Sequence, residues 1–308
     1  MLVSVIIPCY NAEEFVLRAI TSVYNQTYKN IEVICIDNNS TDNTWKKLVE
    51  IKNTFSNLII AKENKQGASA ARNKGIEISN GEWLQFLDAD DELLETKIDH
   101  QLDLVKIADP DLAFIAGNCE SILIDRAFVY SSYYNFKTGR GIWVNLINSE
   151  LGCTCSNLFK AEVIKSVDGW NERQASSQEN ELMFRIMKKF STVIYDPAPL
   201  TIVYSTKTSI TNSNLNQNAI RSIELRESIV DYLIVMQLLT DEAISSFYDS
   251  VVYNSIAIVS GSDKKLARSL AKKYFFVKLP KHFNKIKSIA LKFRLIYHAI
   301  KLYIRVLL

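Results

Sequence analysis

"VSVIIP" at residues 3–8 is followed by "NAEEFVLRAITSVYNQ" at 11–26 and "IEVICID" at 31–37. The outer two are unbroken apolar runs rich in β-branched residues, the pattern of strands covered on both faces. Between them Phe15, Ala19, Ile20 and Val23 recur at helical spacing. Strand, amphipathic helix and strand make one right-handed crossover unit of a parallel sheet. The alternation continues outward. Ser40, Thr41 and Asp42 offer N-cap groups to a helix over 40–55. "LIIA" (58–61), "GASAARNKGIEIS" (67–79) and "EWLQFLD" (82–88) then read as strand, helix and strand. The expected fold class is α/β, a doubly wound and mostly parallel sheet with helices on both faces.

Sheets of this kind bind ligands beyond the carboxyl ends of their strands. Here those ends are polar: Pro8-Cys9-Tyr10-Asn11, Asp37-Asn38-Asn39-Ser40 and Asp88-Ala89-Asp90-Asp91. With Glu92, the last group puts four carboxylates in five residues, a crowding that a divalent cation relieves. Mg²⁺ or Mn²⁺ suits it, since such ions combine one or two carboxylates with phosphate oxygens. Asp88 and Asp90, two apart in an extended segment, point the same way. A calcium loop would want a glycine and more oxygen ligands, whereas "DADDELLETKID" reads straight on into a helix. The chain has no G-x-x-x-x-G-K-[ST], and no G-x-G-x-x-G after its first strand, so P-loop and hydride-transfer chemistry are poorly supported. Tyr10 offers a face for stacking a base and Asp37 an acceptor for a ring N–H. Arg72 has two readings, a base or phosphate contact and a surface ion pair.

The 308 residues, 48% of them hydrophobic, are enough for a large domain with an appendage, or for two domains. Five cysteines without C-x-x-C spacing read as reduced, buried thiols. His100, His282 and His298 read as surface groups. The N-terminus lacks the basic segment of a signal peptide, and no window holds 18 uncharged apolar residues, so the expected location is the cytoplasm. The net charge of +2 conceals a division. No acid follows Asp263, and 13 of the 36 Lys and Arg do, leaving residues 1–263 with 23 bases against 34 acids. An acidic body with a basic docking tail is the expectation, and an acidic body repels nucleic acid.

"SVIIPCYNAEEFVLRAITSVYNQTYKNIEVICIDNNSTDNT", "GASAARNKGIEISNGEWLQFLDADD" and "VDGWNERQASSQENELMFRIMKKF" resemble, in order and spacing, the family 2 glycosyltransferases, inverting enzymes of GT-A fold. The resemblance covers roughly residues 1–205. It implies a nucleotide-sugar donor, normally a UDP-sugar, with Pro8, Tyr10, Asp37, Arg72 and Asp88 around the nucleotide. Asp88 and Asp90 become the D-x-D pair, Asp90 nearest the metal and Asp88 toward the ribose. Many members read "DDGSTD" where this chain has "DNNSTD", so Asn38 replaces a second acid. The general base implied is Glu179, since Leu182 and Arg185 then match the family pattern with Gln178-Glu179 in place of Glu-Asp. A one-residue shift would instead put an amide, Asn180, at the base position. Glu181 reads as a helix-surface charge.

Residues 1–205 are thus expected to be the catalytic domain, with a short strand over 195–205, and 206–308 a helical C-terminal region. Within it 282–308 reads as a basic amphipathic tail. Ile286, Ile289, Phe293, Ile296, Ile300, Tyr303 and Leu307 recur at helical spacing, beside Lys287, Arg294, His298, Lys301 and Arg305. That pattern suits an anionic membrane surface, or packing on the body or a partner. Membrane contact, peripheral at the inner face of the cytoplasmic membrane, fits the lipid-linked saccharide acceptors common among bacterial members that make surface polysaccharide. The alternatives are a non-catalytic nucleotide-sugar binder on the same fold and a nucleotidyltransferase, the latter lacking its Gly-rich basic loop.

Overall fold

The computed structural model describes residues 1–125, 128–133, 139–205, 214–283 and 285–307. Two compact units emerge, Met1–Phe136 with Leu151–Lys207 and Lys137–Glu150 with Thr208–Leu308.

The first unit opens with β1 (Val3–Cys9), α1 (Val16–Tyr24), β2 (Ile31–Asp37), α2 (Thr44–Thr54), β3 (Ile59–Lys62), α3 (Ala68–Ile78) and β4 (Trp83–Phe86). Strands β3, β2, β1 and β4 lie side by side, all parallel. The sheet is mixed beyond them, through β5 (Glu92–Leu93), β6 (Leu112–Asp125), β7 (Phe128–Tyr133), β8 (Leu158–Lys160) and β9 (Thr192–Ser205). β8 runs antiparallel to β4 and β6, while β9 is parallel to β6. Helix α4 (Lys97–Lys106) follows β5. Both sheet faces are covered, as the apolar runs require. Val5 and Ile7 share a buried cluster with Ile20 of α1, Leu48 of α2 and Ile98 of α4. On the other face Ile6 meets α3 so closely that a Cβ on Gly75 would lie 2.3 Å from its Cγ2.

Several local expectations are corrected. The first helix starts at Val16 rather than Asn11, as the N–H groups of residues 11–13 donate to side chains between β2 and the first residue of α2. Asn11 N–H donates to Ser40 Oγ (3.1 Å), Ala12 N–H to Thr44 Oγ1 (2.7 Å) and Glu13 N–H to Asp42 Oδ2 (3.3 Å). The N-cap of α2 is consequently Asn43, without a side-chain bond, although Asp42 still accepts the Thr44 N–H at 2.9 Å. β5 intervenes between the acidic loop and α4, so the chain does not pass straight from Asp91 into a helix. The strand expected at 195–205 begins at Thr192.

The second unit holds α5 (Ile142–Ile147), which precedes α6 (Ala161–Ser166) and α7 (Gln178–Met187) of the first, then α8 (Leu215–Val235) and α9 (Asp241–Ser245). A π-helical turn (Ser246–Val252), α10 (Tyr253–Ser260), α11 (Lys264–Ala271), a second π-helical turn (Lys272–Lys278), α12 (Leu279–Phe283) and α13 (Ile289–Leu307) complete it. His282 is buried, its Nδ1 2.8 Å from Tyr248 Oη, and so is not a surface group. Burial, the main cause, holds its ring below the ordinary histidine range. No described helix is long and apolar enough to cross a membrane. The tail positions Tyr303, Arg305 and Leu307 lie outside the described side chains, and 206–213 and Leu308 outside the described residues.

Candidate active site

Parallel pairing brings the ends of β1 and β2 together, Cys9 opposite Asp37. Asp37 is 4% exposed and its Oδ1 has no hydrogen-bond partner among the described residues. A buried carboxylate oxygen without a donor is costly unless a ligand supplies one. Tyr10, next to Cys9, is 45% exposed and leaves a ring available for stacking. Pro8 lies within β1, opposite Ile36. Asn38 is buried and saturated: its Nδ2 donates to the carbonyls of Glu63 (2.9 Å) and Lys65 (2.7 Å), and its Oδ1 accepts from Gly67 N–H (2.7 Å). An aspartate could not make the two donations. Asn38 is thus a staple that ties β2 to the start of α3.

The acidic loop is held from four sides. Arg72, 5% exposed on α3, donates from Nη2 to Asp88 Oδ1 at 2.7 Å. Its Cζ stacks 4.6 Å from the Trp170 ring centroid. Cys155 Sγ accepts the Asp88 N–H at 3.2 Å and donates to Asp91 Oδ2 at 3.1 Å. Asp91 Oδ1 accepts the Tyr204 N–H of β9 at 2.9 Å. Arg18 of α1 reaches the Asp90 carbonyl, pairs with Glu92 at 3.1 Å and stacks 3.9 Å from the Tyr204 ring. Burial, then the charges of Asp88 and Asp90, push the Asp91 carboxyl up to about 8. Burial, then the charge of Asp88, also raises the Asp90 carboxyl. Carboxylates that resist ionising together are the electrostatic condition a divalent cation relieves. Ligand atoms of Asp88, Asp91 and Cys155 lie within 4.8 Å of one another. Asp90 is outside that cluster. These residues fit a divalent cation, with Asp88 common to the expected pair and the observed cluster.

Glu179 lies in the first turn of α7, one residue after Gln178, whose Oε1 accepts from Arg72 Nη1 at 3.0 Å. One guanidinium therefore spans Asp88 and the start of the Glu179 helix. Glu179 is part-exposed and its Oε1 accepts from Asn180 Nδ2 at 2.9 Å, whereas Asn180 is itself 2% exposed. Glu181 is occupied differently, its two oxygens each 2.8 Å from Arg185 Nε and Nη2. With 12% of its side chain exposed, it is a partly buried ion-pair member rather than a surface charge.

The sequence reading gave no role to Arg18, Cys155, Trp170 and Tyr204, and it took Gln178 only as the neighbour of Glu179. Cys155 had no motif to mark it, and Tyr204 acts through a backbone N–H that its side chain does not announce. All five cysteines are free, with Cys153 the one that is part-exposed.

A family model described as Glycosyl transferase family 2 matches residues 4–166. The UDP-Glc:alpha-D-GlcNAc-diphosphoundecaprenol beta-1,3-glucosyltransferase WfaP of Escherichia coli is 29% identical over 189 residues, covering 51% of this chain and 74% of that protein. The chain spans only 31% and 47% of two other curated relatives. Among solved structures, S. aureus TarS 1-349 in complex with UDP-GlcNAc superposes with a TM-score of 0.59 at 15% identity, over 88% of this chain and 87% of that one. The mannosyltransferase PcManGT from Pyrobaculum calidifontis, in complex with GDP-Man and Mn²⁺, gives 0.56 at 17% identity, over 99% and 86%. At those identities the structural likeness bears on the fold, which is that of the GT-A glycosyltransferases.

Proposed function

Because the chain belongs to glycosyl transferase family 2, and so is a glycosyltransferase, we propose that it transfers a sugar with inversion from a UDP-sugar to a lipid-linked saccharide in bacterial surface polysaccharide synthesis. Residues 1–205 are read as the catalytic part and 206–308 as a helical region, the enzyme working in the cytoplasm at the inner face of the membrane. The observation that carries this reading is the Arg72 bridge, which joins Asp88 of the acidic loop to Gln178 beside Glu179. The names of the Escherichia coli relative and of the TarS complex support the choice of a UDP-sugar and, for the relative, a diphosphoundecaprenol-linked acceptor.

Asp37 accepts a ring N–H of the base with its vacant oxygen, and Tyr10 stacks on that base beside Pro8. Asp88 faces the ribose and, with Asp90, would hold Mn²⁺ or Mg²⁺. Such an ion supplies charge neutralisation to a departing diphosphate. Glu179 takes the proton from the acceptor hydroxyl as the new bond forms, a contribution of about 10²- to 10⁴-fold. The acceptor oxygen attacks the anomeric carbon opposite the leaving group, so configuration inverts and no covalent enzyme intermediate forms.

Screening nucleotide-sugars for diphosphate release with Mn²⁺ tests the proposal. One donor should be turned over, chelation should abolish release, and Asp90→Ala and Glu179→Gln should lose it while remaining folded. Metal-dependent UDP binding with no turnover of any donor would instead favour the non-catalytic alternative.

A further inference from the structure

Helix α13 has two apolar faces. Leu291, Leu295, Ala299 and Leu302 are buried within the second unit. Ile289, Phe293, Ile296, Tyr297 and Ile300 are 69, 70, 39, 61 and 52% exposed. At 3.6 residues per turn these five fall in an arc of about 100°, roughly opposite the buried set. By the same spacing Lys292 borders one edge of the arc, and Arg294 and Lys301 the other. Ile296 and Ile300 also line an apolar groove with Phe275, Leu279 and Phe283. A contiguous apolar surface of this kind marks an interaction site.

The charges around it select the partner. No acid follows Asp263 in the sequence. Among the described residues, two acids from other elements reach α13 or the turn before it, and both are engaged. Asp241 accepts the Lys287 and Ser288 N–H groups at 2.9 and 2.7 Å. Asp249 pairs with Arg294 at 3.0 Å and His298 at 2.8 Å, and Arg294 also bonds Ser245. Lys292 and Lys301 form no ion pair among the described residues and can extend their ammonium groups along the rim. A second copy of the chain docking through this face would gather the lysines of both copies at one seam, with no acid of the segment after Asp263 to meet them. An anionic bilayer accepts both features, burying the apolar arc at the acyl boundary and meeting the lysines with lipid phosphates.

We infer that the exposed arc Ile289–Phe293–Ile296–Tyr297–Ile300, rimmed by Lys292 and Lys301, seats the protein on an anionic phospholipid surface with α13 lying in its plane. This deepens the membrane-side reading above by naming the face, and it is independent of the chemistry at Glu179.

Flotation of the full-length chain with vesicles of phosphatidylcholine alone, or with phosphatidylglycerol added, tests it. The protein should float with the anionic vesicles and stay behind with the neutral ones. Phe293→Ser with Ile300→Ser should weaken binding by at least about tenfold. Lys292→Gln and Lys301→Gln should each weaken it about fivefold, and added salt should act in the same direction. Because these positions are exposed, thermal unfolding and diphosphate release in detergent-free buffer should match the parent chain, separating a failure here from a failure at the active site. Undiminished flotation of the double serine variant, equal binding to neutral vesicles, or no binding by the parent would overturn the inference. So would a concentration-dependent dimer that Phe293→Ser dissolves, since the face would then belong to a second copy.

Discussion

Glu179 and Glu181 stand two positions apart on α7 and should answer mutation in different ways. Glu179→Gln is expected to lower kcat about 10²- to 10⁴-fold with UDP binding and unfolding temperature unchanged, read by diphosphate release, calorimetry and thermal denaturation. Glu181→Gln leaves Arg185 without its two-point carboxylate partner, so it should cost about 1–3 kcal/mol of stability and spare turnover per folded molecule. Arg72 answers to a third kind of substitution. Its guanidinium spans two elements from two different nitrogens, a geometry that the single ammonium of a lysine lacks. Arg72→Lys should give up about 1.5–3 kcal/mol of that contact, roughly a 10- to 100-fold fall in kcat/KM. Tyr10, Asp37 and the Asp88–Asp91 group were legible as polar groups ending apolar runs. Cys155 was not, because its importance lies in what folding sets beside it.

Among elements, α3 illustrates how closely the site is tied to packing. Gly75→Ala would press a methyl group against Ile6 of β1, and the overpacking should cost about 1–3 kcal/mol. Since Arg72 rides on the same helix, nucleotide affinity should fall with stability, a pairing checked by denaturant melts and UDP titration. Helix α4 makes a second case. Lys97 is 1% exposed and bonds Gln85, and burial, partly opposed by Asp196, brings its ammonium down from 10.5 to about 7. The unfolded chain then binds the extra proton between those values, so this residue makes stability rise with pH from about 7 to about 10. In Lys97→Met that contribution should vanish from the pH dependence of the urea midpoint. The strands and helices up to Phe86 could be read from periodicity, since all but β3, which has no fully buried residue, bury a continuous stripe. The late start of α1 could not, because the donors of residues 11–13 find acceptors in the loop that follows β2 and in the first residue of α2.

Across the whole molecule, the division into units does not follow chain order, for residues 137–150 associate with the C-terminal helices. Val144, Leu146 and Ile147 of α5 are buried, Arg226 donates to the Ile147 carbonyl, and Asn148 bonds Ser246. A chain cut after residue 205 should therefore expose those three side chains, at about 1.5–3 kcal/mol each, and aggregate in size-exclusion chromatography. The charge division at Asp263 was visible in composition, yet the two-faced character of α13 was not, since both faces are apolar. The clamp on Asp91 has a bearing on biogenesis. Its Tyr204 donor is encoded 113 residues downstream, so a ribosome has made the acidic loop long before its tether leaves the exit tunnel. Until then the Asp91 carboxylate lacks that donor, so the acidic loop takes its final form only after β9 has been made.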